Sequence, residues 1–222
     1  MEQCKLCENY TLSETIAENH LAKYDYPWEV LPHIKDIILE IGATLSEETY
    51  EKTGENVWIA KSARVAQSAS ITGPCIIGEN TEVRHCAFIR GNALVGNGCV
   101  IGNSTELKNV ILFNGVQVPH YNYVGDSVLG YKAHMGAGSI TSNVKADKTL
   151  VVVKDQNTQM ETGLKKFGAM LGDFVEVGCN SVLNPGTVIG KHSNIYPCSM
   201  VRGVVPANSI YKKCGEIILK YE

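Results

Sequence analysis

The sequence predicts a mainly β fold, a parallel β-helix of six-residue repeats, and three observations point to it. Every sixth residue from Ile59 is aliphatic through nine positions: Ile59, Val65, Ile71, Ile77, Val83, Ile89, Val95, Ile101 and Leu107. A small residue stands two places before most of them, from Ala63 and Ala69 to Cys99 and Thr105, and glycine often follows, as at Gly78, Gly96 and Gly102. A second run repeats the pattern at Leu171, Val177, Leu183, Ile189, Ile195 and Val201. A helix needs apolar spacings of three or four and an ordinary strand needs two, so period six fits neither. It fits a triangular coil of about 18 residues per turn, with one inward aliphatic side chain per face and small residues at the corners. Flat prism faces invite copies to pack against one another, and the expected assembly is a homotrimer.

The elements follow in order along the chain. Residues 1–55 carry Leu31, Ile34, Ile37, Ile38 and Ile41 at helical spacing, with Pro32 able to open a helix and Gly42 to close one. This predicts a small N-terminal segment of two or three helices. The coil is expected over residues 56–208, followed by a tail at 209–222. Its phase slips after Leu107, restarts at Val118 and Val124, and runs one residue early at Leu129 and Met135. From about Thr141 to Met170 the period disappears, predicting an inserted loop, 141–170, that projects from the coil. Such segments are commonly functional or mobile, and with few aliphatic anchors this one is expected to order on ligand binding.

Composition excludes several classes. Twenty basic and 23 acidic residues give a net charge of −3, unlike the basic excess of nucleic-acid binders. No apolar run approaches the roughly 20 residues that span a bilayer. The start, MEQCKLCENY, has no apolar signal core, so a cytoplasmic protein is expected. Eight cysteines in that setting do not read as a disulfide framework. Those within the repeat read as small packing residues, and Cys4 and Cys7 form a lone C-x-x-C without the second pair of a four-ligand zinc site. No metal is expected.

Candidate chemistry gathers where the repeat is disturbed. Arg90 and Lys108 are 18 apart and stack on one face, about 4.8 Å from each other by the strand spacing. Two stacked cations repel one another and suit a bound anion such as phosphate, although surface cations alone would also look like this. His120 and Tyr123 lie in VPHYNYVGD, where the phase breaks, and a histidine there is either a general base or an ordinary surface residue. Asn143 and Lys148 open the inserted segment. The G-A-G of Gly136–Gly138 reads as a tight corner or as a place where a long ligand approaches the backbone. No P-loop or dinucleotide-binding glycine motif is visible.

The stretches GNSTELK (Gly102–Lys108), PHYNYVGD (Pro119–Asp126) and HMGAGSITSN (His134–Asn143) resemble the acetyltransferase domain of the bifunctional UDP-N-acetylglucosamine pyrophosphorylase/glucosamine-1-phosphate N-acetyltransferase. TGLKKFGAMLGD and NSVLNPGTVIG are similar to related sugar-1-phosphate nucleotidylyltransferases with an acetyltransferase tail. The resemblance covers about residues 57–210 and implies a left-handed coil, although most crossovers are right-handed. It implies acetyl-CoA-dependent N-acetylation of an amino-sugar phosphate such as glucosamine-1-phosphate. Arg90 and Lys108 would hold the phosphate, His120 would be the base, Tyr123 would orient the substrate and Asn143 would contact it. Acetyl-CoA would run along a groove between chains past Ala137 and Cys179, with a backbone N–H near Gly136–Gly138 facing the oxyanion.

Three departures accompany the resemblance. His134 stands where the family has Asn, which affects sugar specificity. The family's loop lysine reaches Lys148 only after a one-residue shift. No nucleotidyltransferase domain precedes the coil in this sequence, so that activity is not expected of this chain. The rival expectation is a non-catalytic trimer that binds a sugar nucleotide or sugar phosphate. A hexapeptide metalloenzyme is disfavoured because His85, His120 and His134 lack the required spacing.

Overall fold

The computed structural model describes residues 1–156, 158–212 and 216–219. The coil is a left-handed parallel β-helix of hexapeptide type. It has three faces, visited in turn by each coil. The first stacks Val57–Ala60, Cys75–Ile77, Ala93–Val95, the second halves of Glu106–Leu112 and Tyr123–Leu129, Ala169–Leu171, Thr187–Ile189 and Val204–Val205. The second runs from Arg64–Val65 through Gln117–His120 and His134–Met135 to Ser209–Lys212. The third runs from Ser70–Ile71 through Phe88–Ile89 and the first halves of the two long strands to Met200–Val201.

The period-six residues point inward as the sequence predicts. From Ile77 to Leu107 they are fully buried or nearly so, and so is the second run from Leu171 to Val201. Ile59, Val65 and Ile71 are more open because they line the first coil, which has no coil beneath it.

The phase slip has a local cause. Ala93 pairs with Val110 and Val110 with Ser127, so these coils have 17 residues where Cys75 pairs with Ala93 at 18. The residue is lost at the corner between the third and first faces, where Glu106–Leu112 and Tyr123–Leu129 turn without a break. Asn92, Asn109 and Asp126 stand in a column at that corner, each in the left-handed region (φ 49°, 55° and 49°). Asn and Asp tolerate that conformation better than most residues do.

The inserted segment is more ordered than expected. Ile140 pairs with Val182, so that coil takes 42 residues. Ile140–Thr141 and Ala169–Leu171 are ordinary coil strands, and the excursion between them carries an antiparallel hairpin, Val152–Lys154 with Gln159–Glu161. Val151, Val153 and Phe167 are fully buried. The Phe167 ring lies 5.8 Å from Trp28, and the Gln3 side chain donates to Asp155 at 2.6 Å. Its anchors belong to the N-terminal segment, so they are not apparent from the insertion's own sequence.

That N-terminal segment holds one longer α-helix, Ile34–Gly42, preceded by a 3-10 stretch, Pro27–His33, and by single turns. Pro32 lies inside the 3-10 stretch, where its missing N–H removes an α-helical hydrogen bond. Gly42 is the helix's last residue, and its role is packing: a Cβ there would lie 2.5 Å from the Trp58 ring. Ile34, Ile37, Ile38 and Ile41 bury against the outside of the first face. There the outward residues Ile76, Leu94, Ile111, Val128 and Met170 are also apolar and buried. Each such side chain contributes about 1.5–3 kcal/mol on leaving water.

Both end segments also join the sheet. Tyr50–Gly54 pairs antiparallel with Val57–Ala60, so the helical part stops short of residue 55. Ser209–Lys212, expected in the tail, forms the last strand of the second face, and Glu216–Leu219 folds back on it. These antiparallel strands cover edges that would otherwise present unpaired backbone groups. No helix among the described residues is long and apolar enough to cross a membrane.

Candidate active site

Ile89 pairs with Leu107, so Arg90 and Lys108 stack on successive coils as their spacing predicts. The charge balance around them differs from the expectation. Arg90 Nη1 lies 2.6 Å from Glu106 Oε1, and Lys108 Nζ lies 2.9 Å from Asp126 Oδ1 and 3.2 Å from Oδ2. Each cation has its own carboxylate. That relieves the repulsion between them without any bound anion.

Asp126 is the centre of this cluster. Its carboxylate is 3% exposed and accepts from three side chains: Lys108, Asn109 Nδ2 at 3.0 Å and Asn143 Nδ2 at 2.5 Å. Asn143 also donates to Tyr123 Oη at 3.2 Å. Burial pushes the Tyr123 phenol up, and the Asp126 and Glu106 carboxylates push it further. The phenol stays protonated, accepting from Asn143 with its own O–H left to donate outward.

His120 ends the Gln117–His120 strand of the second face, at the corner where the third face begins, three residues before Tyr123. Its ring is exposed, and among the described residues its side chain has no hydrogen-bond partner. Its backbone is firmly held. The His120 N–H donates to Asn122 Oδ1 at 3.1 Å, and its carbonyl accepts from Gly138 N–H at 3.0 Å. Asn122 is buried and donates in turn to the Gly136 and Ser139 carbonyls at 2.9 and 3.0 Å. This places Ala137 one coil above His120 and Cys179 one coil above Ala137, because Asn180 N–H donates to the Ala137 carbonyl. The G-A-G corner needs its glycines. Gly138 has φ +71°, and a Cβ on Gly136 would lie 2.8 Å from the Cys179 nitrogen.

Two expected residues stand apart from this arrangement. His134 lies on the second face, where Nδ1 is 2.7 Å from Glu176 Oε2 on the next coil. Lys148 sits exposed on a turn, its N–H bonded to the Lys145 carbonyl, with no contact to the cluster.

Sequence reasoning missed Glu106, Asn109, Asn122 and Asp126. The signal was present for Asn109 and Asp126: they fall 17 apart, the pitch of the shortened coils, and follow Asn92 by 17 and 34. It also missed a cavity of about 480 Å³ further along the same corner, between the insertion and the last coils. Arg202 follows Val201 there as Arg90 follows Ile89. Lys145 and Lys154 face the cavity from the insertion, with Asp147 3.4 Å from Lys145. Three cations and one acid give it a positive lining. No group of three or more metal-binding side chains gathers among the described residues.

Residues 71–166 match the family model of the GMPPB C-terminal domain. The chain is 32% identical over 220 residues to the bifunctional protein GlmU of Methanococcus maripaludis, covering 97% of this chain and 53% of that protein. It is 33% identical over 102 residues to the bifunctional sugar-1-phosphate nucleotidylyltransferase/acetyltransferase of Sulfurisphaera tokodaii, covering 46% of this chain and 25% of that protein. The chain thus spans between a quarter and about half of these relatives. Among solved structures it is similar to the acetyltransferase domain of PglB from Neisseria gonorrhoeae in complex with acetyl coenzyme A, at 15% identity and a TM-score of 0.39, covering 81% of this chain and 62% of that one.

Proposed function

We propose, from its likeness to GlmU-type proteins, that the chain is an acetyl-CoA-dependent N-acetyltransferase acting on an amino-sugar phosphate such as glucosamine-1-phosphate. The observation that carries this reading is the position of His120. Among the described residues its ring has no partner, and it stands exposed on a rigid corner that borders the face carrying Tyr123, Asn143 and Lys108, beside the column of Ala137 and Cys179.

His120 takes a proton from the substrate amine as its nitrogen attacks the thioester carbonyl, and collapse of the adduct releases the amide and the thiol of coenzyme A. General-base assistance of this kind is typically about 10²–10⁴-fold, and holding both substrates together contributes further. The developing oxyanion needs a donor. The Gly136 and Gly138 N–H groups are already bonded, to the Val177 and His120 carbonyls, which leaves Ala137 N–H as the candidate. Arg90 and Lys108 hold the sugar phosphate by exchanging part of their carboxylate pairing for it, with Tyr123 and Asn143 orienting the sugar. His134 and Lys148 contact substrate in this reading through a neighbouring copy of a cytoplasmic homotrimer.

The experiment is release of free thiol from acetyl-CoA with glucosamine-1-phosphate or galactosamine-1-phosphate as acceptor. Turnover by wild type that is lost in His120→Ala supports the reading, and equal turnover by the variant refutes the role of His120. A second reading has a specific observation behind it: Arg90 and Lys108 are both neutralised within the chain. A non-catalytic sugar-phosphate-binding or sugar-nucleotide-binding trimer takes over if wild type binds such a ligand and acetylates none.

A further inference from the structure

We propose that Cys179 and Cys198 form a dithiol modification site that exchanges with small disulfides and closes to an intrachain disulfide. The seven cysteines among the described residues separate by environment. Cys4, Cys75 and Cys99 are buried, and burial pushes their thiols up to about 11, 12 and 12. Such thiols supply almost no thiolate near neutral pH. Cys7, Cys86, Cys179 and Cys198 are exposed. Among these four, Cys179 and Cys198 lie on successive coils: the Cys198 N–H donates to the Cys179 carbonyl at 2.8 Å. Parallel neighbours at that spacing keep facing Cα atoms about 4.8 Å apart and a diagonal pair within about 6 Å. Disulfides span Cα separations of about 4.4–6.8 Å. Both residues sit on the outside of one corner, and Cys198 is held there in the left-handed region at φ 58°.

The exchange balances with a symmetric small disulfide as oxidant. One cysteine thiolate attacks a sulfur of the reagent, forming a mixed disulfide and expelling one thiolate. The second cysteine, deprotonated, attacks the protein sulfur of that mixed disulfide and expels the other. The reagent leaves as two thiols, and the two cysteines lose two electrons and two protons.

The test treats the full chain, folded and without acetyl-CoA, with oxidised glutathione, followed by trypsin and non-reducing mass spectrometry. Trypsin cuts after Lys166, Lys191 and Arg202, so Cys179 and Cys198 fall in separate peptides. The expected result is one joined species that a reductant separates, with two fewer titratable thiols than in untreated protein. Cys179→Ser should stop at a glutathione adduct on Cys198, and Cys198→Ser at an adduct on Cys179. The proposal is overturned if the two peptides stay apart while Cys7 or Cys86 takes up glutathione, or if they join only after denaturation. The corner is the one along which acetyl-CoA is proposed to lie. Because the disulfide is read without acetyl-CoA, the dithiol stands or falls independently of the acetyltransferase reading.

Discussion

Replacing Asp126 by asparagine tests the centre of the site most directly. The aspartate receives Lys108, Asn109 and Asn143 while 3% exposed, so the variant removes a buried charge beneath three donors. The new amide keeps one acceptor oxygen and turns an NH₂ toward at least one donor. Removing one partner of a buried pair costs about 3–5 kcal/mol. Lys108 is one-fifth exposed and recovers part of its hydration, so the lower end applies, about 3 kcal/mol. For a chain of this size, about 2–4 °C per kcal/mol predicts a thermal midpoint lowered by about 6–12 °C. The substitution also leaves Lys108 unneutralised, so inorganic phosphate should raise the midpoint of Asp126→Asn more than that of wild type. Thermal unfolding by circular dichroism, with and without phosphate, reads both effects. A midpoint within about 2 °C of wild type would refute the account of Asp126 as the buried hub.

Further outcomes are expected elsewhere. His120→Ala should keep the wild-type melting curve, since its exposed ring leaves no cavity, while kcat for acetyl transfer falls by about 10²–10⁴-fold. Arg90→Ala should raise KM for the sugar phosphate with little change in kcat, because a phosphate contact acts on ground and transition states alike; a selective fall in kcat would contradict that. Phe167→Ala removes a fully buried ring that packs near Trp28 and should cost about 3–5 kcal/mol, read by denaturant unfolding. Light scattering should give three times 24.2 kDa, and a mass of one chain at micromolar concentration argues against the trimer.

The interior of the coil was legible because one inward residue per face leaves a period that survives changes of residue type, as Ile77, Val83 and Ile89 illustrate. The stacking of Arg90 on Lys108 followed from the same period. The cluster around Asp126 was not legible from an 18-residue repeat, since its column runs at 17. The carboxylate partners of Arg90 and Lys108 were missed for another reason. Glu106 pairs with Arg90 from the next coil and Asp126 reaches Lys108 from the one after it, and neither contact has a local signature. The hairpin and buried residues of the insertion were not legible because part of their anchoring, Phe167 near Trp28 and Asp155 bonded to Gln3, comes from a segment more than 100 residues away. A further clue lay in the doublets Ile76–Ile77, Leu94–Val95, Ile111–Leu112 and Val128–Leu129. One member of each lines the interior and the other needs a cover.

That cover limits how copies of the chain can meet. A prism has three sides, and here the N-terminal segment occupies one of them, leaving an outer row with Phe88 and Met200 on one open side and a row with Gln117, His134 and Glu176 on the other. A closed ring of three asks every member for two contacting sides, one toward each neighbour, and the wrapped side then faces outward. A subunit built this way has a valence of two. The same wrapping that stabilises the single chain would therefore bar lateral growth beyond the ring and fix which edges of the prism come to lie in the clefts between subunits.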